Sequence, residues 1–217
     1  MTRALSLQRS IARRAARGFT LTESLAVLAL IGVLAVTASP TFIRLLRDRR
    51  VNRAAMHLVD AYRTGRTRAM GHGQPILVVW DPASGLNNTE PGSKGLVKII
   101  EPIVTANTPT PNCQTAQWTN FQPGGTAGGV QEYSRVDFKS GRYTYTDATF
   151  YDDVVPPASQ AYAEICFTPA GAAYIRTSAA AAFRRMTGVA SFTVVNSETT
   201  ISRTVFIPPN GVARLQL

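Results

Sequence analysis

The stretch RGFTLTESLAVLALIGVLAVTASPTF, Arg17 to Phe42, decides how the rest of the chain is read. From Phe19 to Ala38 it is almost wholly apolar, and Glu23 carries the only charge. A helix over these residues, rising 1.5 Å per residue, matches the ~30 Å hydrocarbon core of a bilayer. Two residues do not suit a plain span. Glu23 has no cation inside the span to pair with, and an unpaired carboxylate in hydrocarbon costs at least a few kcal/mol. Pro40 lacks the N–H that a helix uses, so it predicts a kink.

The flanks give the span a direction. Residues 1–18 hold Arg3, Arg9, Arg13, Arg14 and Arg17 and no acid, which places the N-terminus on the cytoplasmic side. Residues 44–68 hold eight arginines against Asp48 and Asp60, and those nearest the span oppose that rule. They have two readings: partners for lipid phosphates or for acidic faces of neighbouring subunits, or the solvated face of an amphipathic helix. A secretory signal would end in a small-residue cleavage site, and Ala38–Ser39 is a weak one. Beyond it the helical pattern continues. Val51, Ala55, Leu58, Val59, Tyr62 and Ala69 share one face, while Arg49, Arg53, Arg63 and Arg66 take others. Gly71, Gly73 and Pro75 stop it. The predicted helix runs from Phe19 to Met70.

The net charge of +10 over 217 residues is carried by the leader and the helix. Residues 75–217 hold ten basic and ten acidic side chains, so a basic nucleic-acid-binding domain is not indicated. After Pro75 the pattern becomes that of strands, predicted at 76–81, 95–101, 135–139, 142–151, 163–168, 172–176, 190–196, 203–207 and 212–217. Residues 102–134, with TPTPN and PGGTAGG, read as a long loop. The fold class is therefore α+β: a long N-terminal helix, apolar then amphipathic, packed on an antiparallel β-sheet domain. Cys113 and Cys166 are the two cysteines, and an even count in an exported chain favours a disulfide over two buried thiols. Closing that loop would contribute roughly 4 kcal/mol in the loop-entropy picture.

With these residues in register, RGFTLTES resembles the class III signal of type IV pilins and type II secretion pseudopilins: a basic leader ending in Gly, an apolar residue, and Glu at the fifth mature position. Gly18, Phe19 and Glu23 fit it, and Pro40 falls where pilins carry a kinking proline. RRVNRAAMHLVDAYRTGRTRAMGHGQPILVVW, Arg49 to Trp80, resembles the GspH/FimT-type subfamily, in which the helix runs straight into the first strand. The resemblance covers roughly residues 17–80. It implies an inner-membrane protein with a periplasmic C-terminal domain, later part of a pilus or pseudopilus. Residues 1–18 would be a leader removed after Gly18 by a prepilin peptidase, with Phe19 then N-methylated. Residues 19–43 would be the transmembrane and assembly half of the helix, 44–74 its amphipathic half, and 75–217 the β-rich pilin domain. The implied function is a minor pilin, a structural subunit without enzymatic activity or cofactor. Its partners would be other pilins through the N-terminal helix, the peptidase and the inner-membrane assembly platform. A type II secretion pseudopilin and a DNA-binding pilin for uptake are the alternatives.

Glu23 then gains a partner. Cleavage creates an amine at Phe19, and in a filament the amine of one subunit meets Glu23 of its neighbour. The bland alternative is a glutamate near the helix end that reaches water. Arg176, Arg184, Arg185, Arg203 and Arg214 are the candidate DNA contacts. Some subfamily members bind DNA through a C-terminal Gly-Arg-x-Arg motif; here Gly211–Val212–Ala213–Arg214 lacks the first arginine. Asp81–Gly92 is rich in oxygen ligands for Ca²⁺, but its spacing is not that of an EF-hand, and a hairpin loop is the simpler reading. His57 and His72 belong to no nucleophile motif. Asp152 and Asp153 are adjacent, so in a strand they point to opposite faces. No metal site or catalytic residue is predicted.

Overall fold

The computed structural model describes residues 20–81, 95–103, 112–114, 118, 129–138, 146–210 and 212–216. Gly18, Phe19 and most of the Asp81–Gly92 stretch lie outside them. The chain divides into two units, 1–43 and 44–217. Helix α1, Leu21–His72, begins in the first and ends in the second.

In the first unit Thr20 caps the helix. Its hydroxyl accepts the Glu23 N–H at 3.2 Å, and its carbonyl accepts the Ser24 N–H. Thr-x-x-Glu is a capping-box pattern, and an acid in the first turn suits the positive end of the helix dipole. Every residue from Leu21 to Ile43 is exposed, and the span passes as a membrane-crossing helix by length and hydropathy. Thr37 turns its hydroxyl back to the carbonyls of Val33 and Leu34, which spares a polar group from hydrocarbon. Pro40 removes the donor that would serve the Val36 carbonyl but does not end the helix.

Among the described residues of the second unit eleven strands form two antiparallel sheets. One has the order β3 (Val130–Asp137), β2 (Leu96–Pro102), β1 (Ile76–Asp81), β6 (Ala163–Phe167), β7 (Ala173–Arg176), β8 (Arg184–Arg185). The other has the order β11 (Arg214–Gln216), β10 (Ser202–Ile207), β9 (Ala190–Asn196), β4 (Thr146–Tyr151), β5 (Ser159–Gln160). The predicted helical face is the buried one: Val51, Ala55, Leu58, Val59, Tyr62 and Ala69 enter one core with both sheets. Tyr62 meets Phe192 of β9 at 5.6 Å between ring centroids, and Phe192 meets Trp80 of β1 at 5.2 Å. Gly65 lets the helix approach β1 closely; a Cβ there would stand 2.6 Å from Val78 Cγ2.

Strand β1 is buried on both faces, which explains its uninterrupted apolar run. Ile76, Val78 and Trp80 point into the main core. Leu77 and Val79 point into a second cluster with Trp118, Phe183, Cys113 and Cys166. The two cysteines are bonded, so residue 113 is pinned over the outer face of β6. Gly95 sits at φ 122° against the Trp80 ring, where any side chain would collide.

The structure corrects the element expectations at the long loop, at two short strands and at the helix end. The loop predicted over 102–134 ends earlier, because β3 starts at Val130 and stops at Asp137 rather than spanning 135–139. Its Val-Gln-Glu-Tyr-Ser-Arg pattern is that of an edge strand with polar residues facing water. Strands β5 and β8, two residues each, carry too little pattern to be foreseen. The helix runs from Leu21 to His72, two residues past the predicted Met70.

Candidate functional site

The residues singled out fall into an apolar segment, a basic helix face and scattered arginines. The apolar segment is the part of α1 before residue 44. Leu21, Leu25, Leu28, Leu30, Ile31, Val33, Leu34 and Val36 are all exposed around its circumference. A helix apolar all round is one that lies in a membrane or packs among other helices. Glu23 lies in its first turn, exposed, and its carboxylate is without a partner among the described residues.

On the basic face the eight arginines separate by position. Arg47 pairs with Glu198 of the β9–β10 turn, and Asp48 receives Arg203 of β10 at 2.7 Å. Arg63 donates to the Ala213 carbonyl and Arg66 to that of Asn210, each at 2.9 Å, so the helix holds the turn before β11. Arg68 pairs with buried Glu101 and covers the Tyr133 ring at 3.5 Å. These contacts tie the helix to its own domain. Arg44, Arg49, Arg50 and Arg53 make no hydrogen bond or ion pair among the described residues.

The candidate DNA contacts do not converge. Arg176, Arg184 and Arg185 stand on β7 and β8 of one sheet, whereas Arg203 and Arg214 stand on β10 and β11 of the other. Three have internal roles. Arg176 pairs with buried Glu164 and lies 4.4 Å over the Phe183 ring. Arg184 pairs with Asp153, and Arg203 with Asp48. Arg185 and Arg214 are exposed.

The two adjacent aspartates serve different loops. Asp152 accepts the Ala158 N–H and the Gln160 amide, each at 3.0 Å. Asp153 accepts Arg184 and the N–H groups of Thr187 and Gly188 at 2.9 and 3.3 Å. Burial pushes the Asp153 carboxyl up, but these donors outweigh it and hold it below the ordinary aspartate range. Tyr162, half-buried, donates to Glu164, and burial first, then that bond, raise its hydroxyl well above the usual tyrosine range. His57 lines a cavity of about 250 Å³ with Asp60, Tyr133 and Arg135, and His72 is exposed in the last helical turn. No group of three or more His, Cys, Asp or Glu side chains gathers as a metal site among the described residues.

Sequence reasoning missed the cap on Glu23, although Thr20 three residues earlier was a readable sign. It could not assign arginines to acids, since the paired residues are far apart in the chain.

Residues 13–39 match the prokaryotic N-terminal methylation motif. The chain is also similar to the type IV minor pilin FimU of Pseudomonas aeruginosa, whose crystal structure covers 78% of this chain and 90% of that one, at 14% identity and a TM-score of 0.42. No curated protein matches the chain. The methylation motif thus lies on an apolar helix that continues into a domain of two antiparallel sheets.

Proposed function

We propose that the protein is a minor pilin, a structural subunit that waits in the inner membrane and enters a type IV pilus through its N-terminal helix. The observation that carries this is the methylation motif over residues 13–39, continuous with a helix apolar around its whole circumference. In this reading the leader is cut after Gly18, the new amine at Phe19 is methylated, and the β-domain faces the periplasm. Glu23 and Phe19 of adjacent subunits then form the ion pair that makes extraction from the membrane directional. A carboxylate that would be costly alone in hydrocarbon is neutralised only on assembly. The activity is assembly and not catalysis.

Two experiments test it. Gly18→Ala should leave the leader in place; intact-mass analysis that still finds a chain beginning at Phe19 would overturn the processing step. Glu23→Val should insert in the membrane yet enter filaments poorly, and normal incorporation would remove the pairing role. Type II pseudopilus membership makes the same predictions, and the neighbouring genes separate the two. The DNA-uptake reading is weakened by the internal ion pairs of Arg176, Arg184 and Arg203.

A further inference from the structure

The free arginines are not distributed at random along the helix. Arg47, Arg63, Arg66 and Arg68 are engaged with their own domain. The four without partners among the described residues, Arg44, Arg49, Arg50 and Arg53, all fall within the first ten residues after the apolar segment. At 100° per residue, positions 49 and 53 lie opposite the side of the helix that carries Val51, Ala55, Leu58 and Tyr62 into the core, and position 50, half-buried, lies at the edge of that side. Packing of the domain therefore does not require them. Positions 49 to 53 follow Ile43 by only about 9–15 Å of helix, a distance from which long arginine side chains can extend back toward headgroup phosphates, and cations on the far side of a span work against the orientation signal of the leader. Guanidinium groups there fit phosphate oxygens in bidentate fashion.

We propose that Arg49, Arg50 and Arg53 form a lipid-binding face that selects anionic phospholipid headgroups in the leaflet next to the β-domain. The alternative occupant is an acidic surface on another subunit. A second copy of this chain supplies little of it. Asp48, Glu101, Glu132, Asp153, Glu164 and Glu198 are engaged in internal ion pairs. Among the described residues only Glu23 and Asp60 are carboxylates without a partner. The proposal rests on the apolar span and the free arginines, and does not depend on the filament reading.

The test uses the full chain in nanodiscs of mixed phosphatidylglycerol and phosphatidylcholine, with spin-labelled versions of each lipid reporting relative association with the protein. The native chain should prefer phosphatidylglycerol, and the preference should fade as salt is raised to about 0.5 M. The triple variant R49Q/R50Q/R53Q should lose about fivefold in relative association constant per arginine removed, with its thermal melt unchanged. Arg47→Gln, which removes an internally paired arginine, should keep the preference. Equal association of the two lipids with the native chain overturns the proposal, as does a triple variant that retains the preference. Loss of filament incorporation by the triple variant with no change in lipid preference would instead assign the face to an acidic partner subunit.

Discussion

Leu28 and Leu58 lie on one helix, yet Leu28 is 64% exposed and Leu58 is 0% exposed. The same contrast holds for Val36 at 75% and Val51 at 0%. Residue type does not separate the two halves of α1; arrangement does. Before Ile43 apolar residues surround the axis, so no single partner face could bury them all. After Arg50 they keep to one side and arginines take the rest, so two sheets can cover the apolar side while the other meets water. The first half is built for an apolar environment on every side, the second for a domain core.

The largest effect that tests this contrast comes from truncating the matched leucines. Leu58→Ala should cost about 2–5 kcal/mol of domain stability, the usual range for a buried leucine. Leu28→Ala should change it by less than about 0.5 kcal/mol. Comparable losses in denaturant titration would mean that the two halves are not energetically separate.

Glycine offers a second comparison. Gly65→Ala gains roughly 1 kcal/mol of helix propensity but places a Cβ 2.6 Å from the rigid Val78 side chain. Overpacking of about 1–3 kcal/mol should outweigh the gain. Gly32 has nothing within 4 Å, so Gly32→Ala should add helicity without penalty. A melting temperature raised by Gly65→Ala would show that the helix can lift from β1.

The third prediction concerns acid. The Asp153 carboxyl is held below its unfolded value of about 3.9 by Arg184, Thr187 and Gly188. Its contribution is therefore complete above that value and is lost as pH falls through the lower, folded one. Domain stability should fall below about pH 4, and Asp153→Asn should flatten that slope while costing on the order of 1–2 kcal/mol at neutral pH. Helicity of the segment before residue 44 should not follow the same curve. An unchanged acid slope in the variant would assign the effect to other carboxylates.

The smallest effect is expected at Tyr62, whose hydroxyl is buried without a hydrogen-bond partner among the described residues. Tyr62→Phe keeps the ring against Phe192 and removes that burden, so stability should stay level or rise by up to about 1 kcal/mol. A clear loss would reveal a partner for the hydroxyl.

Much of this was legible because one-dimensional pattern suffices for it. The apolar span, the helical face from Val51 to Ala69 and the strand over 76–81 all follow from spacing, and Glu23 stood out as the one charge inside the span. The bond between Cys113 and Cys166 followed from an even count. What could not be read depends on where the chain returns in space. Asp48 meets Arg203, and Arg63 meets the Ala213 carbonyl, only because β10 and β11 come back to the helix. Val130 begins a strand directly after the loop-forming PGGTAGG, because pairing with Pro102 supplies what local propensity does not. The five candidate DNA arginines looked alike in sequence, and their division between ion pairs and open surface came from the two sheets.

The closeness of α1 to β1 at Gly65, and its aromatic contact with β9 through Tyr62, also set how the domain meets mechanical load. A pull on the helix enters the domain along α1 and passes sideways into both sheets at once. It is resisted by interlocked side chains and by the arginine bonds to residues 210 and 213. No single strand carries the strain, so the domain should yield only when the helix slides out of its core as a unit. The tether and the keystone are the same element.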